Sequence, residues 1–264
     1  MLYYWECETD RNGSVHDSTH WKKVMELKVL VTGGGTGIGQ AVAWTMADAG
    51  CDVVVTGRRQ QKLDETVAQT PSSGSIVAHT SDVADRQSVR QVVDWTIERL
   101  GRVDLLVHAA GINIKSRTML EMSPDQWDDV VAVNATGAYN CMWAVLPQMR
   151  ERQDGLIVNV TSIAGIRAYS LGGIAYCASK FAASGLGIAA GNEEATRGVR
   201  ITNIYPGEVD TPLLEQRPQP VSDERRAKML KADDVARMVL AIAQLPPHAH
   251  VAEMVIKPTV QEYA

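Results

Sequence analysis

No run of apolar residues in this 264-residue chain approaches the roughly 18–20 positions that a membrane-spanning helix needs. Positive charge is also scarce. Lysine and arginine total 26 against 31 aspartates and glutamates, a formal net charge of −5, so composition gives no reason to expect nucleic acid or anionic membrane as a partner. The four cysteines (Cys7, Cys51, Cys141, Cys177) lie far apart without any C-x-x-C spacing. That pattern argues against a disulfide framework or a zinc site and for reduced thiols in a cytoplasmic protein. Repeats and Pro/Ser-rich linkers are absent as well, which leaves a single domain as the expectation. What is present is ordinary globular material: 45% hydrophobic and 22% charged residues exclude wholesale disorder.

The first residues differ from the rest. Positions 1–24 are aromatic at one end and polar afterwards, with no sustained period and no apolar core of a secretory signal. We expect an extension there, disordered or from an upstream start codon, and a domain over 25–264. His16 and His20 could share a helix face and hold a metal, but two solvated histidines are the plainer reading, and no metal is expected.

From Glu26 onward, short apolar runs alternate with longer amphipathic ones. Residues 27–32, 52–56, 75–79, 103–108, 156–161, 200–205 and 251–257 read as seven strands. Most are rich in Val, Ile and Leu without polar alternation, as in a parallel sheet covered on both faces. Helical patterns fall near 38–49, 60–69, 85–99, 123–151, 174–196 and 233–245, with Ser123-Pro124 as an N-cap and first-turn proline. The alternation predicts a Rossmann-type, doubly wound α/β fold: a seven-stranded parallel sheet between two helical layers. Residues 211–231 read as a mobile loop with one short helix.

The first strand runs into Thr32-Gly33-Gly34-Gly35-Thr36-Gly37-Ile38-Gly39 and then directly into a helix. Glycine allows the turn, and lets backbone N–H groups at the helix N-terminus approach a pyrophosphate. The spacing is T-G-x-x-x-G-x-G rather than G-x-G-x-x-G. Gly33, Gly35, Thr36, Gly37, Ile38 and Gly39 are the predicted phosphate cradle. An acidic residue about 20 positions later would bind the adenine-ribose 2′-hydroxyl of NAD. Here Gly57 stands there, followed by Arg58 and Arg59. A guanidinium suits a 2′-phosphate, so NADP(H) is the predicted cofactor, with Arg58 as main contact and Arg59 as second.

In Tyr176-Cys177-Ala178-Ser179-Lys180 a phenol and an ammonium stand four residues apart, about 6 Å along one helix face. Cys177 beside them reads as a buried structural thiol, with alkylation sensitivity as the alternative. The preceding strand delivers Thr161-Ser162 to the carboxyl edge of the sheet, where open α/β folds bind ligands. With these residues the chain resembles the short-chain dehydrogenase/reductase (SDR) family over 27–260. The resemblance rests on the glycine turn, Asp82-Val83, His108-Ala109-Ala110-Gly111, Asn134, Ser162, Tyr176 with Lys180, and Pro206-Gly207.

The resemblance implies a catalytic tetrad of Asn134, Ser162, Tyr176 and Lys180. Tyr176 would be the general acid/base. A free phenol has a pKa near 10, so ionising it at pH 7 costs about 4 kcal/mol, and positive charge from Lys180 and the oxidised nicotinamide would reduce this. Lys180 would also hold the nicotinamide ribose, Ser162 would donate to the substrate oxygen, and Asn134 would hold a proton-relaying water. Asp82, Val83, His108, Ala109, Ala110 and Gly111 would line the adenosine side. Pro206, Gly207, Val209 and Thr211 would contact the nicotinamide carboxamide, with the following loop closing over substrate. Two departures stand out. His108 replaces the family's usual asparagine, so a sheet link is lost or taken over by imidazole. Ser162 and Tyr176 are 14 apart, one more than the common pattern, with residues 165–173 absorbing the extra one beside the substrate. Gly165 after Ser162 favours Ser162 over Thr161 as the catalytic hydroxyl.

The C-terminal stretch around Leu245–His248 and Val255–Thr259 resembles a branch containing NADP-dependent 3-hydroxy acid (serine-type) dehydrogenases and related carbonyl reductases. The implied function is NADP(H)-dependent interconversion of a secondary alcohol, such as a 3-hydroxy acid, with its carbonyl. Reduction of a 3-oxoacyl thioester on an acyl carrier, and a non-catalytic NADP(H)-sensing role, are the alternatives. Arg167, or Arg217, Arg225 and Arg226, could meet a substrate carboxylate, though each reads more simply as solvated. The family further implies a homotetramer, paired through the helices beginning near 123 and 174 and the last strand.

Overall fold

The computed structural model describes residues 26–262; the expectations for Cys7, His16, His20 and the 1–24 extension fall outside them. Seven strands form one parallel sheet: β1 (Lys28–Thr32), β2 (Asp52–Gly57), β3 (Ser75–Thr80), β4 (Leu105–His108), β5 (Gly155–Val160), β6 (Val199–Pro206) and, last in the chain, Glu253–Ile256. Their order is β3-β2-β1-β4-β5-β6 and then the Glu253–Ile256 strand. The chain winds outward from β1 to β3, then returns to the other side of β1 for β4. The crevice between β1 and β4 is therefore the switch point at which such folds bind ligands.

Both faces of the sheet are covered, as the unbroken apolar strands predict. On one face, α1 (Gly37–Asp48) packs Ala41, Val42 and Met46 against Val29, Val31 and Val53. On the other, α3 (Arg86–Leu100), which follows α2 (Gln60–Val67), places Val89, Val92 and Val93 against Leu30, Val54 and Leu106. Alternate residues of one strand thus enter different cores.

Two stretches differ from expectation. The helix predicted over 123–151 starts as α4 (Pro124–Val131), with Ser123 and Gln126 forming a capping box. It then widens into a π-turn at Ala132–Thr136 before continuing as α5 (Gly137–Arg152). The extra residue in that turn rotates Asn134 inward, where its side chain satisfies the backbone of Ile112. The stretch 211–231, read as a mobile loop with one short helix, contains that helix together with contacts that were not expected. It holds a 3₁₀ turn at Pro212–Gln216 and a short helix at Asp223–Ala227, and Val209–Asp210 pairs with Leu230–Lys231 in a small parallel ladder. Arg217 and Arg225 both bond Glu208, while Arg226 and Lys231 reach Asp210. Charge pairing, invisible to periodicity, orders this segment.

Candidate active site

The turn after β1 is built for a closely approaching ligand. Gly33 has φ of 69°, and a Cβ there would lie 2.8 Å from the backbone of Ala110. Gly37 has φ of 58° and faces Thr211. Both conformations exclude ordinary side chains. The turn opens onto a long cleft of about 510 Å³. Gly33, Gly35, Thr36, Gly37 and Ile38 line one wall, and Arg58 and Arg59 stand exposed at one end. Asp82, Val83, Ala109, Ala110 and Gly111 line the opposite side. These residues, predicted from four separate segments, converge on one elongated cavity at the switch point. A bare-backbone turn at a helix N-terminus with guanidinium groups beyond it fits a dinucleotide bearing a 2′-phosphate.

Eight residues predicted to touch the cofactor do not line this cleft: Tyr176, Pro206, Gly207 and Val209 line a second, smaller pocket, and Gly39, His108, Asn134 and Lys180 line neither. Gly39 sits under the turn, where a Cβ would run into the carbonyl of Gly33; its role is close packing of helix on strand. His108 is buried, its Nδ1 3.0 Å from the Thr32 hydroxyl, which also accepts the Ala110 N–H at 3.3 Å. The imidazole therefore takes over the sheet link that the departure from asparagine put in question. Burial, and secondarily the charge of Lys180, push its pKa down to about 3. Its Nε2 has no hydrogen-bond partner, nor has Oδ1 of Asn159, its register neighbour on β5.

The cleft ends in a smaller pocket of about 120 Å³, and Ile38, Asn113, Thr211 and Leu213 line both. Here lie Ser162, at the end of β5, and Tyr176, in the first turn of α6 (Ile174–Glu194). Pro206, Gly207 and Val209 form another side. Thr161 and Ser162 both line this pocket, and Thr161 donates its hydroxyl to the carbonyl of Ile204 at 3.0 Å, whereas the Ser162 hydroxyl accepts the Ala164 N–H at 3.1 Å. The extra residue between Ser162 and Tyr176 is absorbed in a loop whose Tyr169, Leu171 and Gly172 line the same pocket.

Lys180 lies one turn beyond Tyr176, its Nζ 5.8 Å from the phenol ring centroid and donating to the carbonyl of Val160 at 3.1 Å. Burial lowers its pKa to about 8. Asn134 donates to the Ile112 carbonyl at 2.9 Å and to the Ser179 hydroxyl at 3.0 Å, and its Oδ1 accepts the Ile112 N–H at 2.8 Å. Behind Gly111 the two converge: a Cβ on that glycine would lie 3.4 Å from both Asn134 Oδ1 and Lys180 Nζ.

Burial pushes the Tyr176 phenol up to about 12. The hydrogen bond from Ser162 and the positive charge of Arg117 pull it back. Arg117 was not foreseen. It is buried and lines the pocket, bonding the carbonyls of Ile114 (2.8 Å), Leu171 and Gln216 (2.8 Å). A lone arginine in an irregular segment carries no periodic signal, and neither does Tyr169. Of the suggested cationic residues, Arg217 lines the pocket and Arg167 does not.

A family model described as short chain dehydrogenase matches residues 27–221. The chain belongs to the short-chain dehydrogenase/reductase family. Among SDR relatives, an uncharacterized oxidoreductase of Staphylococcus saprophyticus is 34% identical, over 89% of this chain and 99% of its own. A 3-oxoacyl-[acyl-carrier-protein] reductase of Thermotoga maritima is 31% identical, covering 83% and 91% respectively. The closed form of a serine dehydrogenase complexed with NADP+ superposes with a TM-score of 0.80 at 28% identity, over 89% of this chain and 96% of that one. The SDR fold thus extends beyond the segment matched by the family model.

Proposed function

We propose that this SDR is an NADP(H)-dependent oxidoreductase that interconverts a secondary alcohol, such as a short hydroxy acid, and its carbonyl, with Tyr176 as general acid/base. The observation that carries the reading is the convergence of Tyr176 and Ser162 where the dinucleotide-shaped cleft opens into the small pocket.

Arg58, with Arg59 beside it, would hold the 2′-phosphate, and the turn from Gly33 to Ile38 the pyrophosphate. The cofactor supplies or accepts the hydride. Ser162 donates its hydroxyl to the substrate oxygen and stabilises charge developing there. Tyr176, protonated at neutral pH, delivers its proton to that oxygen during reduction and takes it back during oxidation. Lys180, charged below about pH 8, is held against Val160 and Asn134 beside Gly111, placed to hold a ribose hydroxyl and return a proton toward the phenol. Val209 and Thr211 fix the far side of the cleft's end.

Replacing Tyr176 by Phe removes the proton donor without changing the shape of the wall. NADPH oxidation measured across ketones, 3-oxo acids and 3-oxoacyl thioesters should fall about 10²–10⁴-fold in kcat, with NADPH binding retained. Unchanged turnover in Tyr176→Phe would overturn the assignment. Similarity to an acyl-carrier reductase makes thioesters the second reading, favoured if they alone are reduced; NADPH binding without turnover on any member would favour a sensor.

A homotetramer is part of the proposal. Trp127 on α4, Tyr139 and Trp143 on α5, and Phe181 and Ile188 on α6 are large apolar side chains left 38–44% exposed, supporting pairing through these helices. The thiols of Cys51, Cys141 and Cys177 are buried and form no disulfide among the described residues, which supports a reducing, cytoplasmic setting.

A further inference from the structure

Three charged side chains line the small pocket: Arg117, Arg217 and Glu208. Cations outnumber the anion here, although the chain as a whole carries a net charge of −5. Glu208 pairs with Arg217 at 2.8 Å and with Arg225 at 2.7 Å, which leaves Arg117 as the pocket cation without a carboxylate. Among the described residues, Arg117 is bonded to backbone carbonyls and not to a carboxylate. A guanidinium has five N–H donors, and the carbonyls of Ile114, Leu171 and Gln216 take three of them. The rest remain for a ligand. A buried cation without a counter-charge is costly.

We propose that Arg117 and Arg217 form an anion subsite in the substrate pocket, so that the physiological substrate carries a carboxylate or phosphate group a short distance from its reacting carbonyl. This rests on the reductase reading and names the substrate class for the same site. Burial, and after it the charge of Arg217, hold the Arg117 guanidinium below its usual pKa; Arg217 already has Glu208 as its counter-charge, and an anion beside Arg117 would supply the one it lacks. The fixed donors would accept the anionic end while Tyr176 and Ser162 meet the carbonyl oxygen. A pocket of about 120 Å³, against about 510 Å³ for the cleft, admits a short molecule.

The test compares NADPH-dependent reduction of 3-oxobutanoate with its methyl ester, and of dihydroxyacetone phosphate with dihydroxyacetone. The charged member of one pair should be preferred about 10–100-fold in kcat/KM, mostly through KM, and the pair that shows it identifies carboxylate or phosphate. Arg217→Gln and Arg117→Met should each bring that ratio down toward unity. Because Arg117 also ties three backbone segments, Arg217→Gln decides if the Met variant does not fold. A neutral member preferred in both pairs, or a ratio unmoved by Arg217→Gln, would overturn the subsite and leave the reductase intact. If nothing is reduced, calorimetry of the NADP+-loaded protein decides. Binding of 3-hydroxybutanoate or glycerol 3-phosphate, but not of 3-hydroxybutanamide, would uphold the subsite while the reductase reading fails. Equal binding or none would overturn the subsite.

Discussion

The long cleft and the pocket at its end share one edge of the sheet but are made of different material. The cleft's inner wall is backbone: a turn that tolerates no Cβ at Gly33, a helix N-terminus, and Ala109, Ala110 and Gly111 leaving β4. The pocket is side chains: Ser162, Tyr169 and Tyr176 from one stretch, with Arg117 and Arg217 from two others. A cavity made of backbone fails when atoms are added, and one made of side chains fails when they are taken away.

The largest effect should come from adding atoms to the cleft. Gly33→Val places a branched side chain on a residue at φ of 69°, with its Cβ 2.8 Å from the Ala110 backbone. Neither neighbour is a flexible side chain that can swing aside. We expect NADPH affinity to fall about 100-fold or more, roughly 3 kcal/mol, from backbone strain and displacement of the turn together. Titration by protein fluorescence measures this. A Kd within a few-fold of wild type would show that the cradle does not depend on bare backbone, and the contrast between the two cavities would be lost.

That contrast also explains what could be read from the sequence. Backbone requirements leave a local trace, and Gly33, Gly37 and Arg58 follow one another in an order that the cleft reproduces. The seven strands were visible because both faces of each are apolar. Tyr176 and Lys180 were visible because one helix turn fixes their spacing. Arg117 was not, since its place depends on carbonyls of Ile114, Leu171 and Gln216 meeting in space. The π-turn at Asn134 was hidden for a similar reason: what stabilises it is the backbone of Ile112, 22 residues earlier. Residues 211–231, which read as a mobile loop, are ordered by Glu208 and Asp210 just outside that stretch.

A smaller effect tests the side-chain part of the cleft. Arg58 is exposed at the cleft's end, so replacing it should not disturb folding. Arg58→Gln should lower the NADP-over-NAD ratio of kcat/KM about 10–100-fold, from loss of charge-assisted hydrogen bonds to the 2′-phosphate. Arg59→Gln should lower it less. Equal effects would make the two arginines joint contacts, and no effect from either would move the 2′-phosphate site away from this end.

The mildest prediction concerns His108, on the strand between the two cavities. Its pKa is about 3 in the fold because the imidazole is buried, with Lys180's charge opposing protonation further, and it is about 6.5 in an unfolded chain. Between those values the unfolded chain binds a proton that the folded chain refuses. Stability therefore falls on acidification, at up to about 1.4 kcal/mol per pH unit once below pH 6.5. His108→Asn keeps a polar side chain facing Thr32 but has nothing to titrate. Urea unfolding of both proteins at pH 7 and pH 5 should show wild type losing about 2 kcal/mol relative to the variant over that interval. A constant difference would mean that the folded protein accepts the proton, with Nε2 then donating to a partner such as Asn159 Oδ1 on the neighbouring strand. The buried polar row linking cradle to catalytic helix would in that case be a titrating element rather than a neutral brace.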